Sequence, residues 1–217
     1  MIRLGVLVSG SGSNLQSIMD SCASSDIDGI VAVVISNVEE AYALKRAEKY
    51  DIPTKVISHE HYPDRVNFDM QLVKTLKEFD VGLVVLAGFM RILTPEFLKH
   101  FPGRIMNIHP ALLPSFPGLE VRQKAIDHGV KLSGCSVHFV DDGVDTGPII
   151  IQAAVPVYPD DSEEELKDRI LALEHKIYPK AIQLFAQGRL DIVERKVFIR
   201  DQVKEKTAYM INPPLEA

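Results

Sequence analysis

The sequence predicts an α/β fold, a mostly parallel twisted sheet flanked by helices with an antiparallel extension near the C-terminus. Three observations predict it. Residues 2–8, 30–35 and 81–87 are nearly unbroken apolar runs, as expected of strands covered on both faces. Helical spacing separates them, with Leu15, Ile18, Met19 and Cys22 on one stripe and Met70, Val73 and Leu76 on another. Residues 136–140 and 149–157 are two further strands joined by an Asp/Gly-rich loop without a crossover helix, so they should pair antiparallel. In chain order, the first strand closes in Ser9-Gly10-Ser11-Gly12-Ser13 before the first helix. A second strand and a helix over 41–50 follow, then a short strand over 54–57 entered through Pro53. The helix carrying Met70 leads to the strand over 81–87, and a fifth strand spans 104–108. Ser162 with Glu163, Glu164 and Glu165 makes a capped helix start, and Leu166, Ile170, Leu173 and Ile177 form its core stripe. Pro179 removes a helical hydrogen bond, which predicts a kink or break there. The whole pattern is Rossmann-like.

At 217 residues the chain builds one substantial core, read as a single domain over 1–217 whose tail is loosely packed from about 204. Its 24 Lys and Arg against 30 Asp and Glu give a net charge of −6, the wrong sign for a protein that grips nucleic acid. An anionic substrate must then be held by local donors. Cys22 and Cys135 are too few for a disulfide framework or thiolate cage and read as small buried hydrophobes. No apolar run reaches the roughly 20 residues that span a membrane, and the reading is cytoplasmic, with no membrane and no nucleic-acid partner. The chain is read as a monomer or homodimer.

Four segments carry candidate chemistry. Gly10-Ser11-Gly12-Ser13-Asn14 joins a buried strand to a helix, placing backbone N–H groups at a helix N-terminus. That is either a phosphate cradle or a tight turn; it matches neither the dinucleotide fingerprint nor the Lys-bearing P-loop. Gly88-Phe89-Met90-Arg91-Ile92-Leu93 follows a buried strand, and would line a pocket for a flat organic molecule or pack the core. Asn107 and His109, one residue apart in a strand, share a face. Asp145, in the loop Asp141-Asp142-Gly143-Val144-Asp145-Thr146-Gly147, is the third member of a set suited to oxyanion stabilisation with proton movement. Pro110 and Pro114 stiffen the loop after His109, and the Leu113-Pro114 bond is a candidate for cis. His59-Glu60-His61 lacks a third ligand and reads as a solvated loop, so no metal site is assigned.

The segments Val8-Ser9-Gly10-Ser11-Gly12-Ser13-Asn14, Ala87 to Leu93, Asn107-Ile108-His109-Pro110-Ala111-Leu112-Leu113-Pro114 and Glu174-His175-Lys176-Ile177-Tyr178-Pro179 resemble the folate-dependent formyltransferases. The Gly/Ser loop and short length resemble, within that family, the glycinamide ribonucleotide formyltransferases of purine biosynthesis. The resemblance implies a formyltransferase fold and formyl transfer from 10-formyltetrahydrofolate, as co-substrate, to the amine of glycinamide ribonucleotide, without metal. It implies that Gly12, Ser13 and Asn14 hold the acceptor's phosphate and Glu174 its ribose or glycinamide portion. Arg65, Met90, Arg91, Ile92, Leu93, Asn107, Asp141, Asp142, Gly143, Val144 and Asp145 would hold the folate. Asn107 and His109 would stabilise the oxyanion while Asp145 sets the charge state of His109. The rival readings are a formyltetrahydrofolate hydrolase, expected to carry a regulatory domain before the catalytic part, and a methionyl-tRNA formyltransferase with a basic C-terminal domain. A non-catalytic folate-binding module is the contrasting class.

Overall fold

In this computed structural model, residues 1–202 and 212 are described. Nine strands form one sheet in the order β3-β2-β1-β4-β5-β6-β7-β9-β8. The strands β1 (Ile2–Val8), β2 (Gly29–Ser36), β3 (Thr54–Val56), β4 (Leu83–Leu86) and β5 (Ile105–His109) are parallel. From there β6 (Leu132–Phe139) runs antiparallel to β5, and β7 (Ile149–Pro156) antiparallel to β6. The parallel sheet with its antiparallel extension is thus as the apolar runs predict.

Period-two alternation sends each strand's side chains to two cores. On one face Leu4, Val6, Val8, Val85 and Met106 pack beneath α1 (Ser13–Ala23), α2 (Tyr42–Glu48) and α6 (Glu163–Ala186). On the other, Leu7, Val84 and Ile105 meet α3 (Arg65–Glu78) and α4 (Pro95–His100). A third cluster joins Ala125 of α5 (Val121–Asp127) and Cys135 to Val155, Leu166 and Ile170. Burial raises the Cys135 thiol to about 12 and the half-buried Cys22 thiol to about 11, so both stay protonated at neutral pH.

Polar groups set the helix starts. The Asp64 carboxylate accepts the Asn67 N–H at 2.8 Å and opens α3. Ser162 and Glu165 form a reciprocal capping box at α6. Of the kink or break expected at Pro179, the break is corrected: α6 is one 24-residue helix with Pro179 inside it. The flanking Tyr178 and Ala181 are fully buried, so packing on both sides outweighs the missing hydrogen bond. Sequence periodicity also does not reveal α4, α5 or the hairpin of β8 (Leu190–Val193) with β9 (Lys196–Ile199), which extends the sheet beyond β7. The loosely packed tail expected from about 204 lies outside the described residues, Asn212 apart, whose amide donates to the Lys131 carbonyl at 2.7 Å.

Candidate active site

Strands β4 and β5 end beside each other, paired Leu86 with Asn107. Past their carboxyl ends opens a cleft of about 540 Å³. Its lining includes the apolar Phe89, Met90, Ile92 and Leu93 from the segment after β4 and Val140, Gly143 and Val144 from the segment after β6. Asn107, His109, His138 and Asp145 also line it. This is the general location of ligands in open α/β sheets, outside the carboxyl ends of the strands.

Asn107 and His109 share a face of β5, and the loop after β6 brings Asp145 to them. His109 is 4% exposed, and both ring nitrogens face acceptors. Nδ1 is 3.3 Å from Asp145 Oδ2, and Nε2 is 2.8 Å from the Phe116 carbonyl. Only the imidazolium donates from both nitrogens, so this arrangement is fully satisfied when His109 is charged. Asp145 Oδ2 also accepts the Gly118 N–H at 3.0 Å, and Oδ1 lies 3.4 Å from the Asn107 amide nitrogen. Burial opposes ionisation of Asp145. The His138 imidazole, the Gly118 N–H and the charge of His109 outweigh it, and the carboxyl sits below its ordinary 3.8. Asp145 adopts a left-handed backbone, φ +54°, with its side chain directed into the cleft.

The loop after His109 is held by a buried hydroxyl. Ser136 Oγ donates to the Ala111 carbonyl at 2.7 Å and accepts the Leu113 N–H at 3.0 Å. The Gln152 amide donates to the Leu113 carbonyl at 2.9 Å, and the Leu113-Pro114 peptide is cis.

The Gly/Ser loop forms a second station beside the cleft. Gly12 has φ +73°, and a Cβ there would stand 2.6 Å from the Ala43 Cβ, so only glycine lets α1 and α2 approach this closely. The side-chain amide of Asn14 donates to Glu174 Oε2 at 2.7 Å, while its buried Oδ1 has no partner. Burial raises the Glu174 carboxyl above its ordinary 4.5, against the Asn14 hydrogen bond and the charge of Arg122. Arg122 itself lines the cleft, so its charge links the two stations.

The structure therefore brings Asn107, His109 and Asp145 together with Met90, Arg91, Ile92, Leu93, Asp141, Gly143 and Val144 around one cavity. Gly12, Ser13, Asn14 and Glu174 are grouped outside that cavity, and the exposed Asp142 does not line it. Arg65 is also off the cavity wall, but its guanidinium donates to the Ile92 carbonyl at 2.6 Å and so braces that wall. His59-Glu60-His61 forms a short 3₁₀ turn, and among the described residues no three metal-ligating side chains cluster.

Sequence reasoning misses His138 and Arg46. His138 Nε2 lies 3.3 Å from the Asn107 amide nitrogen and 3.7 Å from Asp145 Oδ1, with Nδ1 on the Phe139 carbonyl. The signal for it is that Ser136 and His138 are polar at alternate positions of a strand whose other face carries Cys135, Val137 and Phe139. Arg46 donates to the Ser11 carbonyl at 2.9 Å and stacks on Tyr42 with its guanidinium carbon 5.0 Å from the ring centre. It sets a positive charge beside the Gly/Ser loop, a long-range placement with no local signature.

Comparison with known proteins places the chain among similar sequences and folds. The chain is 44% identical over 201 residues to the phosphoribosylglycinamide formyltransferase of Escherichia coli, covering 93% of this chain and 95% of that protein. It is 48% identical over 188 residues to the trifunctional purine biosynthetic protein adenosine-3 of Drosophila melanogaster, covering 86% of this chain but spanning only 14% of that protein's length. The crystal structure of glycinamide ribonucleotide transformylase 1 from Symbiobacterium toebii superposes with a TM-score of 0.92 at 55% identity, covering 93% of this chain and 95% of that one. Among the described residues no helix is long and apolar enough to cross a membrane. The formyl transferase family matches residues 2–182, and the chain belongs to that family.

Proposed function

We propose that this protein transfers the formyl group of 10-formyltetrahydrofolate to the amine of glycinamide ribonucleotide, yielding formylglycinamide ribonucleotide and tetrahydrofolate in purine biosynthesis. The observation that carries the reading is the convergence of Asn107, His109 and Asp145 in one cleft with apolar walls. Its volume of about 540 Å³ suits a flat, drug-sized ligand, and Phe89, Ile92, Leu93 and Val144 supply apolar surface for a pteridine ring.

The chemistry follows from the donors. The acceptor nitrogen attacks the formyl carbon, forming a C–N bond, and the carbonyl oxygen becomes an oxyanion. The Asn107 amide and the His109 imidazolium donate to it. A full negative charge competes for the His109 proton against the neutral Phe116 carbonyl that accepts it in this structure. Collapse breaks the bond to the folate nitrogen, and the proton lost by the attacking amine ends on that nitrogen, through His109 or water. Asp145 stabilises the imidazolium throughout. The Gly12-Ser13-Asn14 N-terminus of α1, with Arg46 alongside, suits the acceptor's phosphate, and the partly satisfied Asn14 and Glu174 suit its ribose or glycinamide portion. Arg65 and Asp142 serve the folate from outside the cavity wall. We read the protein as a single-domain cytoplasmic enzyme, monomeric or homodimeric, whose partners are these two small molecules.

The test is deformylation of 10-formyltetrahydrofolate, followed by absorbance, with and without glycinamide ribonucleotide. Turnover that requires the ribonucleotide is expected. Ribonucleotide-independent turnover would indicate a hydrolase, and none under either condition would leave a binding protein.

A further inference from the structure

The loop from β6 to β7 holds Asp145 in a left-handed conformation, φ +54°, which Asp adopts more readily than most residues with a Cβ. Its internal ties are local. Thr146 Oγ1 donates to Asp141 Oδ1 at 2.6 Å, and the Gly143 N–H reaches the same oxygen at 3.2 Å. Beyond Asp145 the Phe139 N–H donates to the Pro148 carbonyl at 2.9 Å, and the Thr146 carbonyl is held from a distant part of the chain, where Arg195 Nη2 donates to it at 2.7 Å.

Arg195 stands at the turn of the β8–β9 hairpin, between Val193 and Lys196. The next residue, Lys196, pairs with Ile149 of β7, so the hairpin grips both the loop and the strand the loop feeds. The base of the hairpin is itself fixed, with Arg200 paired to Asp191 at 2.8 Å and Arg189 donating to the Arg200 carbonyl at 2.6 Å. A two-stranded arm thus carries a guanidinium to the residue after Asp145.

We propose that Arg195 is a positioning residue for the formyl-transfer reaction: by holding the Thr146 carbonyl it keeps the Asp145 carboxylate turned toward His109. It touches neither substrate. This rests on the role of Asp145 proposed above.

The experiment compares Arg195→Ala, Arg195→Lys, Asp145→Asn and the Arg195→Ala/Asp145→Asn double variant by steady-state kinetics with both substrates. Arg195→Ala should lower kcat by about tenfold, the effect of one charge-assisted hydrogen bond. The KM for glycinamide ribonucleotide should not move, since the Gly12-Ser13-Asn14 station lies outside the loop that Arg195 holds, and the melting temperature should fall by no more than the loss of one exposed hydrogen bond allows. Arg195→Lys, which keeps one donor, should recover much of the loss, and Arg195→Ala should have no further effect once Asp145 is Asn. Wild-type kcat in Arg195→Ala beside an inactive Asp145→Asn would overturn this proposal alone. An equal fall in kcat, acceptor affinity and melting temperature, unrelieved by lysine, would overturn it in favour of general support. Full activity in Asp145→Asn would overturn the role of Asp145 on which the proposal rests, and the proposal with it.

Discussion

Replacing Asp145 with Asn removes one negative charge and puts an N–H donor where Oδ1 faces the Asn107 amide. The amide oxygen can still accept the Gly118 N–H, and Asn tolerates the left-handed backbone that Asp145 adopts at φ +54°. What is lost is the attraction for charged His109. At the observed 3.3 Å, two unit charges attract by about 5 kcal/mol at an effective dielectric of 20. The Asp145 side chain is 13% exposed, so water screens part of this, and the Asn dipole replaces part of the rest. A net loss of about 2–3 kcal/mol of transition-state stabilisation remains, or about 30- to 150-fold in kcat. The assay is formyl transfer at saturating concentrations of both substrates, with a melting curve alongside. The Asp145 carboxyl lies below 3.8, so its contribution to stability is present above that value and lost as pH falls through the lower, folded value. Between pH 5 and 8 the titration of Asp145 itself therefore adds no slope to the stability difference between wild type and variant. A kcat within threefold of wild type would refute the reasoning, because it would mean that transition-state stabilisation does not depend on the charge of Asp145.

Three other perturbations test separate parts of the site. Asn107→Ala should lower turnover on the order of a hundredfold, the usual cost of about 3 kcal/mol for losing an oxyanion donor, and near-full activity would remove its role. Glu174→Gln keeps an acceptor for Asn14 but cannot ionise. The folded carboxyl titrates above 4.5, so the wild type gains full benefit from its bound proton below 4.5 and loses it as pH rises through the folded value. The variant's stability relative to wild type should then improve as pH rises from 4.5, and a difference in melting temperature that stays flat across pH 4.5–8 would contradict the buried-carboxyl assignment. Gly12→Ala places a methyl 2.6 Å from Ala43 Cβ at φ +73°, and should destabilise by about 1–3 kcal/mol while raising the KM for glycinamide ribonucleotide. Unchanged melting and KM would show that the α1–α2 contact is dispensable.

Sequence alone makes the α/β architecture legible because its signal is local: unbroken apolar strands and 3.6-residue stripes are read within ten or so residues. The same locality puts Asn107 and His109 on one face of β5 and makes Ser162 a helix start. The helix runs on past Pro179 for the converse reason. Its lost hydrogen bond is a local cost, and the burial that offsets it belongs to the surrounding core. The β8–β9 hairpin is hidden because Glu194-Arg195 is no usual two-residue turn, although Glu194 adopts φ +53° there. What only the tertiary structure decided is which groups meet. The register pairing Asn107 with His138, the turn carrying Asp145 to His109 and the reach of Arg195 to Thr146 each join segments distant in sequence. Such meetings are set by strand register and loop geometry, and these are fixed by the packing of the whole sheet, which no short window of residues contains.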